Sequence, residues 1–291
     1  MQSSPVRNRL MLAGAALLFS TGGAAIKAAT LTAWQIASFR SGVAALFLIV
    51  ALPEARRGWS WKIAPPAMAY AATLVLFVLA NRLTTAANAI FLQDTAPLYV
   101  LLLGPWLLRE PVRRSDVVYI AAVAAGMALF FVGLPPVAAT APDPARGNVI
   151  ALASGVTWAL TITGLRWLGR AGEKNAAMAT VAAGNLIACF VALPLAVPIT
   201  VAGGANVPVI LYLGVVQIGL AYVLVTRAIR HVSAFETTAV LLLEPAMNPI
   251  WTWLVHGEKP GAWPLAGGAV ILFATLANTW RQAREISVNQ Q

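Results

Sequence analysis

The nine residues Leu241-Leu242-Leu243-Glu244-Pro245-Ala246-Met247-Asn248-Pro249 lie inside an apolar run from about Ala234 to Val255. They place one carboxylate and two prolines where the chain otherwise reads as a membrane-spanning helix. A charge near the bilayer centre costs roughly 2.5–3.5 kcal/mol on insertion scales, so Glu244 is expected to face protein or a wet cavity. The prolines interrupt the backbone ladder and need neighbouring helices or water to satisfy the freed carbonyls.

The surrounding chain has the same character. Of 291 residues, 59% are hydrophobic and only 10% are charged, and the mean hydropathy is +0.77. Soluble domains carry about 25% charged residues, so the composition is that of a polytopic membrane protein. At about 20 residues per span, ten spans are expected: 9–27, 33–52, 63–81, 85–108, 115–133, 147–166, 175–199, 207–228, 233–255 and 263–281. The apolar run after Arg7 and Arg9 resembles a signal peptide, but it continues to Ile26 and reads better as the first span.

The net charge of +10 does not mark a nucleic-acid binder, because the Lys and Arg residues are scattered in ones to threes between apolar runs. Fifteen fall at the two termini and in alternate connections, against four (Lys27, Arg82, Arg146, Lys259) on the other side. That bias places both termini in the cytoplasm. Trp34, Trp59, Trp61, Trp106, Trp167, Trp263 and Trp280 sit near span ends, as an interfacial belt would. The single Cys189 forms no internal disulfide.

The two halves match each other. At an offset of 148, Leu83–Pro97 lies over His231–Pro245, pairing Arg82 with Arg230, Pro97 with Pro245 and Glu110 with Glu258. At 139, Phe19 pairs with Trp158 and Lys27 with Arg166. Five spans per half is an odd number, so a duplicated unit sits upside down relative to its partner. The expected fold is an all-α membrane protein, with ten transmembrane helices in two inverted five-helix repeats (1–135 and 146–285) around a central cavity. Ala96 matches Glu244, so the carboxylate is expected in one half only and the proline bend in both.

With Arg40 in the second span, Glu244-Pro245 in the ninth and Gly257-Glu258 closing it, the chain resembles the EamA family of the drug/metabolite transporter superfamily. Within it, the chain is most similar to the YddG-type exporters of aromatic and other neutral amino acids. The resemblance implies a basket of helices around a cavity, with the fifth and tenth spans outside. It also implies an inner-membrane secondary transporter working by alternating access.

Several faces offer chemistry to such a cavity. Glu244, Asn248 and Trp251 share a face of the ninth span with Thr237. Asn88, Thr95, Tyr99 and Trp106 share one on the fourth, beside Gln93 and Asp94. Tyr70, Thr73 and Phe77 line up on the third, and Trp158 lies on the sixth. Tyr222 lies on the eighth, with Gln217 turned from its face. The expected cavity set is Tyr70, Gln93, Tyr99, Trp158, Gln217, Tyr222, Glu244, Asn248 and Trp251. Arg40 and Asp94 lie at comparable depth; either they form an ion pair inside the bundle or Arg40 snorkels outward. A zwitterionic substrate needs a carboxylate donor, and Asn248, Gln217, a backbone N–H near Pro245 and Lys27 are all open choices. Pro97, Pro105, Pro245 and Pro249 are the expected bending elements. His231 and His256, at span ends, are expected to be interfacial.

There is no H-E-x-x-H, G-x-S-x-G or G-x-x-x-x-G-K-[ST] pattern, so neither a metalloprotease nor an ATP-driven pump is readable. No enzyme activity, cofactor or metal is expected. The expected partners are a small-molecule substrate and the lipid bilayer, with the protein a monomer. Cationic drugs are the rival substrates in the same fold.

Overall fold

The computed structural model describes residues 5–107, 114–132, 134, 136–173, 176–198, 204, 206–228 and 240–288. Helix starts follow local capping chemistry. Thr32 closes a capping box with Gln35 at the head of α3 (Ala33–Ala51), satisfying two amides that a helix start leaves open. Thr85 accepts from the Asn88 amide to begin α5 (Ala86–Gln93), and Asp143 accepts from Arg146 to begin α8 (Pro144–Arg170). Gly257, at φ 67°, ends α12 (Leu243–His256) in the left-handed conformation that glycine adopts without strain.

The remaining helices are α1 (Pro5–Ser20), α2 (Gly22–Ala28), α4 (Ala64–Leu83), α6 (Ala96–Leu107), α7 (Arg114–Val132), α9 (Ala176–Ala196), α10 (Asn206–Leu211), α11 (Ala221–Ala228) and α13 (Ala262–Val288). Tyr212–Leu220, between α10 and α11, is π-helical. Among the described residues seven helical segments are long and apolar enough to cross a membrane, and two shorter apolar helices cover Asp116–Val132 and Ala262–Asn278. Those residues form no strand beyond one isolated bridge, Ala138 to Ala141. The protein is all-α. Of the ninth expected span, residues 233–239 lie outside the described residues, as do His231, Arg230, Thr237 and Glu110.

Four of the expected spans are not single α-helices. The first breaks at Thr21, between α1 and α2, and the fourth breaks at Asp94–Thr95, between α5 and α6. The eighth changes register through its π stretch. In the ninth, Val240 and Leu241 are helical, Leu242 is a turn and α12 follows. The breaks at Asp94 and Leu242 are 148 residues apart, the offset at which the halves match.

Helix α4 packs along α8 and α9, α3 along α9, and α13 along α7. In lipid such contacts depend on close packing, and small residues permit it. At Gly214 in the π stretch an added Cβ would lie 2.5 Å from Val43 Cγ1 and 2.9 Å from the Arg40 carbonyl. Glycine is what lets that segment close on α3. Trp59, Trp61, Trp106, Trp167, Trp263 and Trp280 are all exposed on the protein surface, where an interfacial belt belongs.

Candidate substrate cavity

Arg40 is the largest fully buried side chain, 2% exposed. It lies on the inner face of α3, and its Nη2 donates to the Leu74 carbonyl of α4 at 3.0 Å. The guanidinium opens onto a cavity of about 120 Å³. Tyr70, Thr73, Leu74 and Phe77 of α4 form one wall, in helical steps of three, one and three. Phe19 comes from α1 and Trp158 from α8. Gln217, Ile218 and Tyr222 come from the π stretch and α11, and Gln93, Asp94 and Glu244 from the two helix breaks.

The aromatic side of the cavity is a packed set of rings. Tyr70 meets Trp158 at 6.1 Å and Tyr222 at 6.1 Å, the latter edge-on, and Phe19 meets Tyr222 edge-on at 5.3 Å. Such arrangements set the negative face of one ring against the positive edge of another. The polar side keeps donors and acceptors in reserve. Arg40 Nε, Gln93 Oε1, Asp94 Oδ2 and Gln217 Oε1 are buried and have no hydrogen-bond partner among the described residues. Ligand pockets usually enclose about 300–1,000 Å³, so a substrate of amino-acid size must spread these walls.

Both acids reach the cavity through broken backbone. Asp94 is the C-cap of α5, two residues before Ala96 opens α6. Glu244 sits in the first turn of α12. Non-helical backbone at membrane depth is tolerated where it lines a cavity or is buried in protein. The sequence comparison put a carboxylate in one half only. The geometry corrects this: each break supplies one, displaced by two residues from the matched position.

Of the cavity set expected from sequence, Tyr70, Gln93, Trp158, Gln217, Tyr222 and Glu244 line this space, together with Arg40 and Asp94. Gln217 joins Tyr222 because the π register brings residues five apart onto one face, where an α-helix would turn them away. Tyr99, Asn248 and Trp251 lie elsewhere. Trp251 Nε1 donates to Ser20 Oγ at 2.8 Å, clasping α12 to the end of α1. Asn248 is buried against Gly23, where a Cβ would stand 2.7 Å from its Oδ1. The Arg40–Asp94 ion pair is not formed: among the described residues the ion pairs are Lys27–Glu258, Lys62–Glu173 and Arg281–Asp116. Lys27 is therefore engaged outside the cavity. His256 Nε2 lies 2.8 Å from the Ala24 carbonyl, tying the end of α12 to α2.

Phe19, Leu74 and Ile218 were not singled out for the cavity from sequence. Phe19 had a signal, since the internal repeat pairs it with Trp158, and both rings line the same space.

Of the expected bending prolines, Pro105 and Pro249 lie inside α6 and α12. Pro97 and Pro245 instead occupy the first turns of those helices, where a missing N–H leaves no intrahelical bond unmade.

The model of the EamA-like transporter family matches residues 9–132 and 145–280. Two curated relatives, the pseudopaline exporters CntI of Pseudomonas aeruginosa strains UCBPP-PA14 and ATCC 15692, are each 28% identical over 275 residues. The alignment covers 90% of this chain and 92% of theirs. A solved crystal structure superposes with a TM-score of 0.63 at 16% identity, covering 97% of this chain and 99% of that one, which is a likeness of fold alone. With its family model matched twice along nearly its whole length, this chain belongs to the EamA-like transporter family.

Proposed function

We propose that the protein is a secondary transporter that exports small neutral, often aromatic, amino acids or related metabolites across a bacterial-type inner membrane. The observation that carries this is the cavity's division of labour. One guanidinium, Arg40, stands ready for a carboxylate, Asp94 or Glu244 for an ammonium, and Tyr70, Trp158, Tyr222 and Phe19 for an apolar or planar side chain. Of the donors left open by the sequence, Lys27 is bound to Glu258 and Asn248 lies away from the cavity, while Gln217 lines it; Arg40, which was not among them, takes the carboxylate role as the charged donor in the lining. Similarity to relatives that export pseudopaline supports a small-molecule exporter.

The working architecture is ten spans in two inverted five-helix repeats, both termini cytoplasmic, acting as a monomer. The matched breaks at Asp94 and Leu242 support it, as does the charge bias of the loops. One repeat rocks against the other around the cavity, opening it to each face in turn. The half-helices at the breaks carry the side chains that meet substrate.

The test is a radiolabelled panel in proteoliposomes of purified protein, comprising aromatic, aliphatic, acidic and basic amino acids and quaternary amines. Saturable flux of neutral amino acids, lost in Arg40→Ala, is the expected result. Turnover without flux would instead indicate an enzyme. A second reading has one observation in its favour: two acidic side chains face a single guanidinium, which suits cationic amines. Flux of quaternary amines that survives Arg40→Ala would select it.

A further inference from the structure

The loops at the far end of α2 meet in a buried ionic cluster separate from the cavity. Lys27, in the last turn of α2, holds its Nζ 3.0 Å from Glu258 Oε2, with 3% and 6% of the two side chains exposed. The same ammonium donates to the Thr84 carbonyl at 2.9 Å and to that of Thr140. Glu258 Oε1 accepts the Ala86 N–H at 2.7 Å, one of the open amides at the positive end of α5. One ion pair thus joins four segments: the end of α2, the turn before α5, the linker before α8 and the loop after α12.

Two of these segments have their other end at the cavity, and a third starts close to it. Helix α2 begins beside Phe19, at the Thr21 break. Helix α5 runs from Ala86, bonded to Glu258, to Gln93 and Asp94, a length of about 12 Å for eight residues. Helix α12 carries Glu244 in its first turn and ends two residues before Glu258. Helices α5 and α12 therefore each hold a cavity residue at one end and abut the ion cluster at the other, and α2 starts three residues after the cavity residue Phe19. A substrate that spreads the cavity wall displaces the inner ends of the elements whose outer ends the pair holds together. A buried pair is also suited to two states. Closed, it is held by the hydrogen bonds to Thr84, Thr140 and Ala86; separated, each charge would have to be met by water.

We infer that the Lys27–Glu258 pair is the closed gate between the cavity and the membrane face bearing residues 257–261, and that it separates when the cavity opens to that face. The inference rests on the transporter reading. It adds two residues that touch no substrate to those that control passage.

Accessibility tests it without any substrate. In a Cys189→Ser background, which removes the only cysteine, Ile218→Cys reports from the cavity wall and Arg146→Cys, at an exposed site, reports the Lys27 face. A charged, membrane-impermeant methanethiosulfonate is applied to each face of vesicles of known orientation. Lys27→Gln or Glu258→Gln should speed labelling of Ile218→Cys at least tenfold from the Arg146 face. The double reversal Lys27→Glu/Glu258→Lys should restore slow labelling.

Unchanged labelling in folded single variants overturns the gate and leaves a structural clasp. Should the single variants not fold, Lys27→Cys/Glu258→Cys is bridged by a short bis-methanethiosulfonate. Transport that stops on bridging and returns on reduction supports the gate, and transport undiminished by complete bridging overturns it. A wrong substrate assignment shows differently, as gated labelling without flux.

Discussion

The two helix breaks at the cavity are built from the same turn but deliver their acids differently. At the first, Asp94 closes α5 before the break, and Pro97 follows in the first turn of α6. At the second, Leu242 makes the turn, and Glu244 and Pro245 both follow it in α12. The prolines match at the repeat offset, yet the carboxylates do not. Both nevertheless reach the cavity that contains Arg40. What the halves share is a place where helix stops, and each then supplies a carboxyl from whichever side of the stop has one. The difference is that Asp94 hangs from the end of one half-helix while Glu244 rides on the start of another.

The largest effect should come from the group both breaks face. Arg40→Ala removes the only guanidinium that lines the cavity among the described residues, and truncating one member of a buried charged contact costs roughly 2–5 kcal/mol. Flux of a carboxylate-bearing substrate should fall at least about thirtyfold, at the upper end beyond detection. Proteoliposome uptake measures this, with size-exclusion chromatography to establish folding. The next test separates the breaks. Asp94→Asn and Glu244→Gln keep shape and remove charge, so whichever acid holds the ammonium should lose about 1.5–3 kcal/mol, a ten- to hundredfold weaker apparent affinity. A deamino substrate analogue should bind that variant and the parent equally, since the contact being removed is then absent from both. Equal losses in the two variants would mean that the acids act as one site despite their different mounting.

The long spans were legible because twenty apolar residues bounded by charge admit few other readings, and the Glu244–Pro245 interruption was legible as a charge without a lipid-compatible place. In the fourth span a bend at Pro97 was expected, but not the turn at Asp94–Thr95 just before it, because Ile90-Phe91-Leu92 and Leu98-Tyr99-Val100 read as apolar helix on either side. That single miss accounts for Tyr99: counting steps of four and seven through the break assumes an uninterrupted helix, and the break resets the phase. Gln217 lines the cavity as expected, but it shares Tyr222's side rather than turning from it, because a π turn adds a residue per turn and no residue type announces it. The supposed Arg40–Asp94 pair came from equal depth along two helices. Depth does not fix the azimuth at which each side chain leaves its helix, and Arg40 found the Leu74 carbonyl instead.

Packing behind the breaks offers a smaller test. Gly23 of α2 lies against α12, where a Cβ would meet Asn248 Oδ1 at 2.7 Å and Ala86 Cβ at 2.9 Å. Gly155 of α8 lies against the first break, where a Cβ would meet the Leu92 and Gln93 carbonyls at 3.1 Å each. Gly23→Ala is expected to destabilise by about 1–3 kcal/mol through overpacking. Gly155→Ala requires shifts of only a few tenths of an ångström and should cost less than about 1 kcal/mol. Thermal unfolding in detergent ranks the two, and a reversed order would place the tighter seat at the first break.

The smallest expected effects concern the prolines themselves. A proline ring clashes with the carbonyl four residues earlier. For Pro97 that residue is Gln93, the last of α5; for Pro245 it is Leu241, just before the Leu242 turn. Each proline therefore stops the preceding helix rather than kinking its own. The first break has a second device, because Thr95 Oγ1 donates to the Leu92 carbonyl at 2.6 Å and occupies an acceptor that a continuing helix would use. Among the described residues the second shows none, since Leu242 offers no side-chain cap. Pro97→Ala should thus leave the break standing and change transport by less than about twofold, while Pro245→Ala lacks a cap of roughly 1 kcal/mol and should lose about fivefold. Adding Thr95→Val to Pro97→Ala should bring the first break to the same loss. If Pro97→Ala alone is as damaging as Pro245→Ala, the threonine does not hold the first break, and the two bends are mechanically alike.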